Sequence, residues 1–167
     1  MKWLARVAIA LALVVALGVG VLHLFGEGIW DAVAQRPPVM PLAALGGNSA
    51  PNEFVVCPAG MCGGRPDLVS PIYEMTPDAL RDVVQRRLLD QGLTAFAPGG
   101  RTLIYTTHSP VLRFPDDTVI RIVPVDEGSA LAIRAKARIG VEDFGVNEAR
   151  VRKWLGLLVD LERKRAT

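Results

Sequence analysis

From residue 7 to residue 25 the chain carries only apolar residues and glycine, His23 excepted, and this run constrains everything that follows it. As a helix it spans roughly 28 Å at ~1.5 Å per residue, close to the ~30 Å hydrocarbon core of a bilayer. Twelve of its residues are Leu, Ile, Val or Phe, each favouring insertion by about 0.3–0.6 kcal/mol. His23 sits near the end, within reach of the interface. Residues 1–25 therefore read as a transmembrane signal-anchor helix, with lipid contact between Leu4 and Phe25.

Flanking charge sets the orientation. Lys2 and Arg6 precede the run, while Glu27 and Asp31 follow it. Positive flanks stay in the cytoplasm, so the remainder of the chain is expected on the periplasmic side of a bacterial inner membrane. Cleavage as a signal peptide is the alternative, with Ala32-Val33-Ala34 as a small-x-small site. The run is longer than the ~7–15 apolar residues of a signal peptide, and the alanine pair lies well past its end, which favours a retained anchor. Both readings export the domain.

The formal charge of +2 belongs to the anchor, since Lys2 and Arg6 account for it and the rest of the chain balances. A neutral domain lacks the basic footprint of a nucleic-acid binder, and no nucleic-acid partner is expected. Nor does a polybasic patch beside the anchor point to lipid headgroups. Cys57 and Cys62 read as a structural disulfide in an oxidising compartment. Their spacing is wider than that of redox motifs, and no His follows Cys62 for haem attachment.

Residues 26–51, rich in Gly, Pro and Ala, read as a flexible tether, and residues 52–167 as the exported domain. Thr76-Pro77-Asp78 is a helix start with a Thr cap, Pro in the first turn and an acid at the positive dipole end. Leu80, Val83, Val84 and Leu88 recur at helical spacing, and Gly92 ends that helix. Strand-like segments follow at 93–97, 102–107, 118–125 and 129–139, the last two joined by a hairpin at Asp126-Glu127-Gly128. In the final strand Leu131, Ile133, Ala135 and Ala137 share one face, and Arg134, Lys136 and Arg138 the other. A second helix is expected from Asn147, as its cap, to Arg163, with Arg163-Lys164-Arg165 answering the negative helix end. Two amphipathic helices and about four antiparallel strands imply an α+β two-layer sandwich, its cationic face open or partly covered by the cysteine loop.

The stretch Phe114-Pro115-Asp116-Asp117, then Arg138-Ile139-Gly140, Asp143-Phe144-Gly145, Asn147 and Arg150, resembles domain of unknown function family 1499, a group of uncharacterised exported proteins. Cys57-Pro58 and Cys62 are similar to that family's cysteine segment. Where many members carry serines, this chain has Ala135, Lys136 and Ala137. The resemblance implies a domain assignment and no activity.

The candidate site is the polar cluster Asp116, Asp117, Arg134, Arg138, Asp143, Asn147 and Arg150. One reading is a pocket in which Arg134, Arg138 and Arg150 hold a small anion near a helix N-terminus, with Asp117 and Asp143 orienting the arginines. The favoured alternative is an Arg–Asp network that satisfies buried polar groups at an element junction. Asp116-Asp117 as acid and base would need a turn to bring both to one site. His108 beside Ser109 cannot act as a nucleophile–base pair in a strand, and there is no zinc spacing, phosphate loop or dinucleotide fingerprint. No metal or cofactor is expected. The sequence thus supports a non-enzymatic envelope module with a protein partner or small anionic ligand on its Arg-rich face. An enzyme using Asp117 or Asp143 with Arg138 and Arg150, or a structural subunit of a membrane complex, are the alternatives.

Overall fold

The computed structural model describes residues 2–46 and 50–161. Its first element, α1 (Lys2–Val33), is a single helix long and apolar enough to cross a membrane. It continues past Phe25, so the tether expected from residue 26 begins as helix. Beyond it the chain is α+β, as its periodicities imply.

Seven strands form one sheet: β1 (Glu53–Cys57), β2 (Leu68–Val69), β3 (Ile72–Tyr73), β4 (Phe96–Gly99), β5 (Thr102–His108), β6 (Pro115–Val125) and β7 (Gly128–Ala137). The order is β2-β1-β7-β6-β5-β4, with β3 also paired to β7. All pairs are antiparallel except β1–β2. The β6–β7 hairpin turns at Asp126-Glu127, with Val125 opposite Gly128. Gly128 has φ +136°, and a side chain there would run into the Tyr73 carbonyl, so only glycine fits.

Two helices, α2 (Pro77–Leu89) and α3 (Val146–Gly156), cover one sheet face. Thr76 caps α2 by accepting from Ala79 N, and Pro77 opens it, as the local sequence dictates. Leu80, Val84 and Leu88 pack with Val151, Trp154 and Leu155 of α3 on Ile120, Leu131 and Ile133. Each such aliphatic side chain contributes about 1.5–3 kcal/mol when fully buried. The second helix differs from expectation at both ends. Its cap residue is Gly145 rather than Asn147, and it stops at Gly156, followed by a 3-10 turn at Val159–Leu161. The run Arg163-Lys164-Arg165 lies outside the described residues.

The opposite sheet face is not open. Leu45, Val55, Cys57, Val123 and Ala132 form a second buried cluster there, with Met40, Leu42 and Cys62 against it. Residues 38–46, tether-like in composition, therefore lie along the sheet. Arg121 holds this segment by donating to the Met40 carbonyl at 2.6 Å. Cys57 and Cys62 are disulfide-bonded, their Cα atoms 6.2 Å apart, at the end of β1.

Candidate functional site

Strand alternation divides the candidate residues between two faces. Across β6 and β7, Asp116 pairs with Ala137 and Asp117 with Lys136. Asp116 thus faces the helices, and Asp117 faces the side on which α1 ends.

On the α1 side, Arg138 donates from Nε and Nη2 to both oxygens of Asp117, at 2.6 and 2.8 Å. Both side chains are almost fully buried, 2% and 1% exposed. Thr106 on β5 donates to the same carboxylate at 2.7 Å. The remaining Nη1 of Arg138 reaches Asp31 on α1 at 2.6 Å. One guanidinium therefore joins the strand core to the terminal turns of the long helix. Bidentate, charge-assisted pairing of this kind is among the stronger polar contacts a protein makes. The same stretch of α1 is held at further points: the Trp30 indole donates to the Leu112 carbonyl at 2.7 Å and packs on Phe114. Arg113 pairs with Glu27, and His108 Nδ1 lies 3.8 Å from the same carboxylate. Burial nonetheless depresses the His108 pKa; Asp31, Asp116 and Asp117 oppose that shift and Arg138 adds to it.

Arg134 and Lys136 are closed by a residue that sequence reading missed. Glu53 on β1 accepts from Arg134 Nε at 2.7 Å and from Lys136 Nζ at 2.9 Å. Burial pushes the Glu53 carboxyl up, but hydrogen bonds and charge from the two cations outweigh it and hold the pKa below its ordinary 4.5. The expected cationic face is thus neutralised by Glu53, Asp117 and Asp31. Placing 53–57 as a strand would have exposed this pairing, since Phe54 and Val56 in the core put Glu53 on the cations' face.

On the helix side, Arg150 Nη2 meets Asp116 at 2.5 Å while Nη1 donates to Asn147 at 2.7 Å. Asn147 is fully buried and donates to the Asn52 carbonyl at 3.3 Å. Asp143 pairs with neither Arg138 nor Arg150 but accepts from Gly145 N at 3.0 Å and Asn147 N at 2.9 Å. Its carboxylate therefore occupies the α3 N-terminus, where the sequence reading placed an anion. The seven residues do not converge on one pocket. They form three clusters and a cap: the Asp117 and Arg134 clusters on the α1 side of the sheet, and the Asp116–Arg150–Asn147 cluster with the Asp143 cap on the helix side. Among the described residues no three His, Cys, Asp or Glu side chains gather as a metal shell requires.

One open cleft adjoins the Asp116–Arg150 pair. It measures about 400 Å³ and is lined by Gln91, Leu93, Thr107, Arg150, Lys153 and Trp154, among others. The Thr107 hydroxyl oxygen is buried there without a partner among the described residues. Trp154 also packs edge-on against Tyr105, whose phenol burial pushes up to about 12.

A family model described as "Protein of unknown function (DUF1499)" matches residues 49–158, about two-thirds of the chain. No curated protein matches it.

Proposed function

The chain belongs to the DUF1499 family of proteins of unknown function, and we propose that it is a membrane-anchored, non-enzymatic module held rigidly on the extracytoplasmic face. The observation that carries this reading is the double engagement of Arg138, with Asp117 in the sheet and Asp31 on α1. Of the charged residues that look catalytic in sequence, Asp117 and Arg138 join α1 to the domain, whereas Asp116, Arg150 and Asp143 hold α3. Asp116 and Asp117 face opposite sides of a β-sheet, so they cannot share a substrate. Signal-peptide cleavage after Ala34 would strip Asp31, Trp30 and Glu27 from their partners on the domain. That favours retention of α1. The Cys57–Cys62 bridge and the Lys2 and Arg6 flank both agree with export.

A phosphatase fused after Thr167 tests the topology: the reading expects activity outside the cytoplasm, together with an intact mass that includes α1. Activity confined to the cytosol, or a mature chain starting near Gln35, contradicts it. Crosslinking from the native membrane then identifies partners of the anchored domain.

The cleft beside Arg150 favours a second, compatible reading, in which a small anion binds there rather than on the β7 cations. The positive charges of Arg150 and Lys153 suit a phosphate or carboxylate, with Trp154 as an apolar wall. Titration with inorganic phosphate, comparing the natural chain with Lys153→Glu, tests this: binding should be lost in the variant, and equal behaviour of the two rules the site out.

A further inference from the structure

The chain after α1's apolar run is laid along the sheet in a fixed order. Gly26 packs on Arg113, Asp31 on Arg138, Arg36 lies near Asp117, and Met40 is held by Arg121. This order identifies the end of the sheet nearest the apolar run. It is the end where β6 begins and β7 finishes. Along the helix axis Phe25 and Asp31 are ~9 Å apart, comparable to the thickness of a headgroup layer.

Two loops occupy that end, residues 109–114 before β6 and 138–145 after β7, tied by Arg138 N donating to the Pro115 carbonyl at 3.0 Å. Both expose apolar side chains: Val111 is 55% exposed, Val141 87% and Phe144 88%. Both also contain a non-glycine residue with positive φ, Arg113 at 58° and Phe144 at 54°, and no other such residue occurs among the described residues. A bulky residue keeps such a conformation only where its surroundings impose it. At Phe144 the brace is Asp143, the residue before it, which accepts from Gly145 N and Asn147 N just after it. Single exposed apolar residues are ordinary, but several large ones gathered at one end of a domain on braced loops point to an interaction surface.

We propose that Val111, Val141 and Phe144 form a second membrane contact, seating this end of the domain on the lipid surface from which α1 emerges. The proposal rests on α1 being a retained anchor. The exposed Glu142 between Val141 and Phe144 keeps the contact shallow, at headgroup depth, where an aromatic ring is well accommodated. The attraction is apolar, so it does not require anionic lipid.

The test places an environment-sensitive thiol probe on the full chain, reconstituted in phosphatidylcholine vesicles containing a headgroup-depth nitroxide lipid quencher. Single variants F144C and V111C report the contact. E127C, in the hairpin turn at the far end of the sheet, gives the baseline, and V14C reports the anchor with an acyl-chain quencher. Severalfold greater quenching at 144 and 111 than at 127 is expected. Quenching at 14 with 144 no different from 127 overturns this contact and leaves the anchor standing. No quenching at 14 overturns the anchor and this contact with it.

Discussion

Asp116 and Asp117 are neighbours in sequence and face opposite sides of the sheet, each closed by an arginine from a different element. Arg150 of α3 takes the first and Arg138, just past β7, the second. A pair that resembles an acid–base dyad on the page is two separate structural joints in space.

Breaking the inner joint should be severe. Arg138→Ala leaves Asp117, 1% exposed, with only Thr106 and the more distant, half-exposed Arg36 to offset its buried charge, a loss of up to about 3–5 kcal/mol. Replacing both partners, Arg138→Met with Asp117→Leu, should cost clearly less, because neither charge is then stranded. Denaturant unfolding of the three proteins checks the ranking. A single variant as stable as the natural chain would refute the structural role.

Acid should weaken the Glu53 clamp. Its folded pKa is depressed below the ordinary 4.5 by Arg134 and Lys136 acting against burial. The stability it contributes is therefore present above that ordinary value and lost as pH falls through the lower folded value. Melting curves from pH 6 down to about pH 3 should show a smaller acid-induced decline in Glu53→Gln, which carries no titrating group there. An identical decline in both proteins would show that the clamp has no such effect.

How much of this was legible beforehand follows from how local each signal is. The apolar helical run, the Thr76 cap, the 126–127 turn and the alternation along β7 are each encoded within a few residues, and the fold keeps all of them. The partners of the cations are not local. Glu53 and Asp31 lie 81 and 107 residues from Arg134 and Arg138, so periodicity in β7 shows a cationic face without showing what closes it. The helix cap illustrates the same point at short range. Asn147 is a preferred cap residue, but Gly145 at φ 78° enters the helix while Asp143 supplies the capping oxygen. Asn147 is thereby released to bond Asn52 and Arg150 from a buried position.

Two short-range features offer modest, separable effects. Asp143→Ala should destabilise by about 1 kcal/mol, the usual cost of a lost cap. Asn147→Ala should cost about 1–3 kcal/mol, because the Asn52 carbonyl and Arg150 lose a buried partner. Thermal melts of the two variants give the order; a larger loss from Asp143→Ala would reverse the assignment of roles.

The cysteine bridge should be present on isolation, with no thiol alkylated before reduction. Closing so short a loop, it should contribute only about 2 kcal/mol by chain entropy, seen as the stability difference between the natural chain and a Cys57→Ser, Cys62→Ser double variant. Free thiols in protein alkylated directly on cell lysis would refute the bridge.

Rigid docking of the helix end onto the sheet is tested most directly by a pulsed electron-resonance distance measurement in vesicles. Spin labels at V33C and L89C occupy exposed positions on α1 and α2. A single narrow distance that broadens on Asp31→Ala is expected. A broad distribution in the chain with Asp31 intact, or loss of the label at 33 because that segment has been cut away, would contradict it.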